Sequence, residues 1–559
     1  MMRRALLVAG LLGAAPAAAA TDPTLATLQA TLKEAQAQLA GLREPDPAYF
    51  VAYSVVEHRA LNIQGSHGAH AGVVPERVRS VDVDLRLGSM QLDSTHKIRD
   101  ESFFTAAGRP HWITGFEGAS DPLRRLLLRA TDDAYRAARA RLLKVRSNEA
   151  VKVAREDDSD DYSPAPAVQR EAPAPTLTVD VAAWSALTKA VSAVYLEYPE
   201  IYDSAVQLVV TEDDRWIVNN EGTAVVDGFR HLRVATWAET VADDGMGLSV
   251  YDYVDVGSTA RLPDQARVEA MARAVAERTV ALRHAPVIEP WTGPAILRGR
   301  AAGVFFHEIF GHRIEGHRQK DEDEGQTFTR RVGQPILPPF LSVLDDPTQA
   351  QLGGEDLNGH YAVDDEGVAA ERVTLVDKGV LESFLMSRAP VAGFPRSNGH
   401  GRRQPGNDIV PRQGNLMVQA EGTVPYAELR KRLLAEIVRQ KKPWGLVFDD
   451  ISGGFTFTGR STPNSFAVQP VTVWRVYADG RPDELVRGVD LIGTPLTTFA
   501  RILAAGGEVE VFNGTCGAES GWVPVSASSP SLLVQEVEVQ RREKGNDRPP
   551  LTPPPGAHP

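Results

Sequence analysis

The residues best suited to chemistry lie in one short stretch, residues 305–317, which reads FFHEIFGHRIEGH. It contains a His-Glu-x-x-x-His pattern formed by His307, Glu308 and His312. Neutral imidazole nitrogens are common zinc ligands, and a glutamate next to a zinc-binding histidine can act as a general base. The pattern therefore predicts a metal site with hydrolytic chemistry, and ordinary helix histidines are the alternative.

The spacing of the two histidines restricts the backbone that could hold a shared metal. Histidines four apart on an α-helix point about 40° from each other, whereas a spacing of five gives about 140°. His307 and His312 are five apart, so a shared metal requires a π-type turn or a helix that ends just before His312. Gly311 lies where such a break would occur, and glycine weakens a helix by up to about 1 kcal/mol relative to alanine.

Cys516 is a candidate for a third metal ligand, and it is the single cysteine of the chain. A catalytic zinc usually has three protein ligands and one open position, so two histidines leave one ligand missing. A thiolate could supply it, and an inert buried cysteine is the alternative. A thiolate donates more charge than an imidazole, which would make the metal a weaker Lewis acid.

Several separate motifs in residues 295–539 resemble, in their order, those of the TldD/PmbA metallopeptidases, also described as modulators of DNA gyrase. The motifs are HEIFGHRIEG at 307–316, VLDDP at 343–347, DDEG at 364–367, NGHGRR at 398–403, PR at 411–412, DISGG at 450–454 and GTCG at 514–517. The N-terminal half is much less similar, and Asn220-Glu221-Gly222 is its best fragment.

The resemblance implies a zinc-dependent metallopeptidase that hydrolyses peptide bonds of unfolded or small peptides. One zinc ion per chain would be bound by His307, His312 and Cys516, and Glu308 would activate a zinc-bound water. A dimer, with an identical or a related subunit, would enclose the site. The alternative is a non-catalytic subunit of such a complex that binds peptides or a partner and keeps a structural metal. His317 departs from the family, which usually has an acidic residue there.

A polar loop further along the chain contains candidates for substrate binding. Asn398, Arg402 and Arg403 could hold a peptide backbone or its carboxylate, because a guanidinium binds carboxylates with two parallel hydrogen bonds. An ordinary surface loop is the alternative. Glu315 and His317 could orient a metal ligand, since metal-bound imidazoles normally donate their second N–H to an acceptor.

The elements that must position these residues indicate an α+β fold. An α+β N-terminal domain over 21–285 would precede a mainly β C-terminal domain over 291–542 that carries the His-Glu helix. Leucines and alanines at gaps of three and four predict a helix from Leu25 to Leu42, and alternating apolar residues predict strands. The acidic, proline-rich segment 155–176 predicts a flexible insertion, and 543–559 predicts a disordered tail.

The first twenty residues indicate export. Arg3 and Arg4 precede an apolar run and a series of small residues that ends at Ala20, which predicts a signal peptide over 1–20 and a periplasmic or secreted protein. No other stretch is apolar and long enough for stable membrane insertion. The net charge of −13 provides no large cationic surface, so nucleic acid is not expected as a partner.

Overall fold

The computed structural model describes residues 22–42, 47–98, 111–115, 120–149, 157–321, 323–456, 458–459, 466–493 and 498–542. The predicted signal peptide and the predicted disordered tail lie outside these ranges. No helix within them is long and apolar enough to cross a membrane.

The N-terminal domain is built on one sheet of long strands. Its described strands are β1 (Ala48–Ser66), β2 (Ala69–Leu87), β3 (His111–Thr114), β4 (Gln169–Glu171), β5 (Asp203–Asn219), β6 (Ala224–Val241) and β7 (Gly247–Val256). They follow the order β3-β2-β1-β5-β6-β4, with β7 paired to β6. All pairings except β4 with β6 are antiparallel, and tight turns such as the one at His67 and Gly68 join neighbouring strands.

Helices cover the apolar face of this sheet. They are α1 (Pro23–Ala40), α2 (Ser120–Glu149), α3 (Val181–Ser192) and α4 (Gln265–His284). Three of them begin at an aspartate whose side chain accepts a hydrogen bond from the first turn, namely Asp22, Asp180 and Asp264. Helix α1 packs on β1 and β5 and helix α2 on β2 at one end of the sheet, whereas α3 packs on β1 and β5 and α4 on β6 and β7 at the other end.

Residues 157–176 are not the flexible insertion that their composition predicts. Tyr162 is buried, and the backbone N–H of Ser163 donates to the carbonyl of Arg388 in the C-terminal half, at 2.8 Å. Further on, β4 pairs with β6. The prediction is wrong for these residues because an extended segment can obtain its hydrogen bonds and its burial from neighbouring elements, without a core of its own.

The C-terminal domain contains fifteen described strands, most of them shorter than the long strands of the N-terminal sheet. They are β8 (Trp291–Leu297), β9 (Leu341–Asp345), β10 (Gln351–Leu352), β11 (Glu355–Asp356), β12 (Val373–Asp377), β13 (Val380–Leu381), β14 (Gly401–Arg402), β15 (Val410–Pro411), β16 (Asn415–Ala420), β17 (Gly445–Thr456), β18 (Phe466–Val476), β19 (Glu484–Val486), β20 (Val489–Gly493), β21 (Ile502–Ala518) and β22 (Gly521–Arg541). Its α-helices are α5 (Gly299–Ile309), α6 (His317–Lys320) and α7 (Tyr426–Arg439).

Eleven of these strands form one sheet in the order β13-β12-β9-β16-β22-β20-β18-β17-β8, with β19 on β18 and β21 on β22. Because β8 also pairs with β22, the strands β22, β20, β18, β17 and β8 form a closed ring of pairings. Helix α5 packs against β17, β21 and β22. The predicted α+β fold, with a mainly β C-terminal domain that carries the His-Glu helix, is confirmed.

Candidate metal centre

The His-Glu motif spans the end of α5 and a short 3₁₀ turn. Helix α5 ends at Ile309, and the 3₁₀ turn covers residues 311–313. This break places the ring centroids of His307 and His312 only 5.2 Å apart, although the two residues are five apart in the chain. The predicted interruption just before His312 is therefore confirmed.

Gly311 is required by close packing at this break. A Cβ atom at this position would lie 1.9 Å from Oε1 of Gln413. The side-chain amide of Gln413 in turn donates to the carbonyl of His307, at 3.3 Å. The glycine therefore allows Gln413 to contact the last turn of α5 and to hold it against the loop that follows β15.

Cys516 reaches the two histidines from the hairpin of β21 and β22, where it lies opposite Val523. Its Sγ lies 3.3 Å from Nε2 of His312. The candidate ligand atoms of His307, His312 and Cys516 all lie within 4.8 Å of one another, and all three residues are buried. We call these three residues the ligand cluster.

Charge is balanced within the ligand cluster. Burial raises the pKa of the Cys516 thiol, but the lowering effect of His312, His307 and Arg412 is larger. The pKa therefore lies well below its ordinary value. Burial lowers the pKa of His312, but Cys516 and Glu315 outweigh burial and hold that pKa well above its ordinary value. The pKa of His307 is raised as well, so these directions favour a thiolate beside protonated imidazoles.

Glu315 supports the cluster from the side opposite to Cys516. Its Oε1 lies 3.2 Å from Nδ1 of His312, and its Oε2 accepts a hydrogen bond of 2.9 Å from Arg318. Burial raises the pKa of Glu315, but the lowering effect of His312 and Arg318 is larger and brings the pKa to about 2. An ionised carboxylate therefore faces the ring nitrogen of His312 that points away from the sulfur, as expected for a residue that orients a metal-bound imidazole.

These residues fit a zinc ion. Two imidazoles and a thiolate match the donors that zinc prefers, and three protein ligands leave a fourth position open. In addition, Nδ1 of His307 is buried without a hydrogen-bond partner among the described residues. Buried polar atoms are nearly always satisfied, so a group from outside the protein is expected here. Binding a metal would require neutral imidazoles and would release their protons.

Glu308 lies beside the cluster with its carboxylate uncommitted. The residue is 8% exposed, and the carboxylate makes no hydrogen bond within the described part of the chain. Glu308 follows His307 directly in the chain, and its negative charge contributes to raising the pKa of His307. The structure therefore brings together all four residues that the motif and the single cysteine predicted.

The residues predicted to bind substrate are buried in the C-terminal domain and contact other parts of the protein. Asn398 is buried, and its amide binds the backbone of Met386 and Phe384. Arg402 donates to the carbonyls of Gln413 and Pro524, while the guanidinium of Arg403 donates to the carbonyl of Asn407 at 3.3 Å. Arg402 and Arg403 are also nearly inaccessible. The structure thus gives no support to the predicted binding of a substrate carboxylate by these residues, because their polar groups are engaged inside the protein.

Two contacts of the site have no clear signal in the sequence. Arg412 donates to Sγ of Cys516, and its only sequence sign is its place in the Pro-Arg motif. His317 forms an ion pair with Glu519 at the tip of the β21–β22 hairpin. Glu315, His317 and Glu519 together could hold a second metal, but Arg318 bonds to both carboxylates at 2.9 Å, which makes the group an ion-pair network.

The C-terminal half of the chain is similar in sequence to known metalloproteases. Residues 291–541 match the family described as PmbA/TldA metallopeptidase C-terminal domain. A metalloprotease from Methanothermobacter thermautotrophicus is 26% identical over 61% of this chain and 70% of its own length. A metalloprotease TldD homolog from Haemophilus influenzae is 28% identical over 44% of this chain and 48% of its length. A zinc metalloprotease TldD homolog from Saccharolobus solfataricus is 22% identical over 44% and 51%, respectively.

Solved structures share the fold over almost the whole chain. TldE from Thermococcus kodakarensis superposes with a TM-score of 0.59 at 12% identity, over 92% of this chain and all of its own. A protein from Thermotoga maritima, described as a candidate modulator of a DNA gyrase, gives a TM-score of 0.58 at 16% identity, over 91% and 99%.

This chain shares with the PmbA/TldA metallopeptidases the C-terminal domain that residues 291–541 form. Its C-terminal domain is that of the TldD/PmbA family, so the resemblance drawn from the motifs is confirmed. The chain spans about half the length of the second and third relatives named above.

Proposed function

We propose that this protein is a zinc-dependent metallopeptidase that hydrolyses peptide bonds of unfolded or small peptides. The observation that carries the proposal is the convergence of His307, His312 and Cys516 within 4.8 Å, next to the uncommitted carboxylate of Glu308. The name of one relative, a zinc metalloprotease, supports zinc as the metal.

Each residue has a distinct task in this proposal. His307, His312 and Cys516 would hold the zinc ion and leave one position open. When bound, zinc supplies Lewis acidity, which polarises a carbonyl and makes water more acidic. Glu308 accepts the proton of the attacking water and delivers it to the nitrogen of the leaving amine. Glu315 keeps His312 in the tautomer whose Nε2 faces the cluster.

The burial of the site supports the substrate class. Residues 301–316 are all buried, so the cluster does not lie on an open surface. A folded protein presents its backbone already hydrogen-bonded and covered, whereas an unfolded or small peptide can enter a narrow site as a single strand. Peptides of this kind are therefore the substrates that the proposal requires.

The decisive experiment combines metal analysis with peptide cleavage. Purified protein is expected to contain one zinc per chain and to cleave an unfolded peptide, and a chelator should abolish the cleavage. Glu308→Gln should retain its zinc but lose about 10²- to 10⁴-fold in kcat, the usual contribution of a general base. The exposed Glu382 provides the matched control, and Glu382→Gln should cleave like the unaltered protein.

The alternative of a non-catalytic binding subunit is tested by the same measurements. Bound zinc together with no Glu308-dependent cleavage of any unfolded peptide would support a structural metal instead. Absence of zinc from protein purified without chelators would contradict both the metallopeptidase and the binding subunit with a structural metal.

The proposal also includes a partner subunit and export. One solved neighbour is TldE, so a dimer of identical or related subunits is proposed here as well. Light scattering of the purified protein, alone and with candidate related subunits from the same cell, would test it; a monomer in every mixture would contradict it. Export is tested by the mass of the mature protein, which should begin after Ala20, and by cell fractionation.

A further inference from the structure

Arg412 makes more contacts around Cys516 than any role in strand pairing requires. The residue follows β15, and its side chain is fully buried. One guanidinium nitrogen, Nη2, donates to Sγ of Cys516 at 3.0 Å and to the carbonyl of Cys516 at 2.8 Å. The other, Nη1, donates to Oγ of Ser520 at 2.8 Å and to the carbonyl of Gly521 at 3.1 Å.

The third nitrogen of the same guanidinium faces the other side of the ligand cluster. Nε of Arg412 lies 3.5 Å from Oε1 of Glu315, the oxygen that also faces His312. One planar cation therefore lies between the sulfur and the carboxylate that supports the imidazole. Because the side chain is fully enclosed and its fork is held by four hydrogen bonds, its position relative to the sulfur is fixed.

A hydrogen bond from a cation withdraws electron density from a thiolate. Such charge-assisted bonds are roughly twice as strong as neutral ones, and outer contacts of this kind tune the metal through its ligand. Hydrogen bonds to ligand sulfurs are likewise among the factors that set the potentials of iron–sulfur clusters. A thiolate that receives such a bond donates less charge to a metal than an isolated thiolate would.

We propose that Arg412 is a positioning residue that tunes the metal site through its hydrogen bond to Cys516. By drawing charge from the sulfur, Arg412 offsets the electron donation that would otherwise make a thiolate-ligated zinc a poor Lewis acid. This inference rests on the proposed function, because it requires Cys516 to be a metal ligand. If Arg412 only held the β21–β22 hairpin in place, its hydrogen bond to the sulfur would have no function.

Cobalt substitution of the full-length protein tests this inference without any turnover. Cobalt bound by a thiolate shows a sulfur-to-metal charge-transfer band in the near ultraviolet. Loss of the hydrogen bond raises the energy of the sulfur electrons, so the band of Arg412→Gln should move to longer wavelength. Arg412→Lys, which keeps a cationic donor, should show a smaller shift.

Ser520→Ala is the matched control, because it removes one of the hydrogen bonds that hold Arg412 but leaves the sulfur contact. Its band should stay in place. With peptide as substrate, Arg412→Gln should lower kcat and change KM little. An unshifted band in cobalt-loaded Arg412→Gln, an equal shift in Ser520→Ala, or failure of both Arg412 variants to bind cobalt would overturn the inference.

The proposed function and this inference fail in different ways. If the unaltered protein binds cobalt without a sulfur charge-transfer band, Cys516 is not a ligand and the proposed metal site itself fails. If the band is present in the unaltered protein and does not move in Arg412→Gln, only the role of Arg412 is lost.

Discussion

The carboxylate of Glu315 lies 3.2 Å from Nδ1 of His312, while Nε2 of the same ring lies 3.3 Å from the sulfur of Cys516. One imidazole thus connects a buried carboxylate to a buried thiol. The carboxylate fixes which ring nitrogen carries the proton, and this leaves the other nitrogen available to a metal.

Glu315→Gln should weaken zinc binding by about 10- to 100-fold, the usual effect of losing an outer contact of a metal-bound histidine. Competition with a chromogenic chelator measures this affinity. Glu324→Gln is the control, because Glu324 accepts a hydrogen bond from the same Arg318, at 2.8 Å. Equal affinities in the two variants would contradict the orienting role.

Cys516→Ser should reduce zinc affinity by more than the roughly 10- to 100-fold expected for an outer contact, because it removes a ligand outright. Zinc per chain, measured by elemental analysis after dialysis, reports the loss. Circular dichroism should remain that of the unaltered protein, since serine is close to cysteine in size. Full zinc content in this variant would exclude Cys516 as a ligand.

Arg388→Met should lower the free energy of unfolding by about 3 kcal/mol, because it breaks a buried ion pair between the two domains. The fully buried guanidinium of Arg388 binds both carboxylate oxygens of Glu221, at 2.6 and 2.9 Å. Urea denaturation measures the change. Arg396→Met is the control, since the pair of Arg396 with Glu371 is exposed and should contribute at most about 1 kcal/mol. Similar losses in both variants would refute the special role of Arg388.

Glu366 should make stability depend on pH between about 4.5 and 6. Burial raises the pKa of Glu366 from 4.5 to about 6, against the lowering effect of Arg388. The folded state then binds more protons than the unfolded state in this window, so stability falls as the pH rises through it.

Glu366→Gln mimics the protonated acid and should reduce that fall, as measured by the melting temperature at several pH values. Some dependence should persist, because burial also raises the pKa of the neighbouring Asp364. The exposed Glu382 again gives the control. Equal slopes in Glu366→Gln and in the unaltered protein would show that Glu366 does not titrate in this range.

Local features of the sequence determined the elements that position the metal motif. The spacing of His307 and His312 with Gly311 between them predicted the break that the 3₁₀ turn makes. Periodic apolar residues likewise predicted α1, since helix formation depends on neighbours three and four residues away. Cys516 could be named as a ligand candidate because its thiol has no other partner of its type in the chain.

The tertiary structure alone decided what surrounds these residues. The pairing of β21 with β22 and their packing on α5 bring a sulfur to a histidine 204 residues away. The same packing encloses Arg402 and Arg403, which local sequence presents as a polar loop, and gives Arg412 its contact with the thiol. Such contacts depend on which strands pair and which faces meet, and neither is encoded in the periodicity of a short segment.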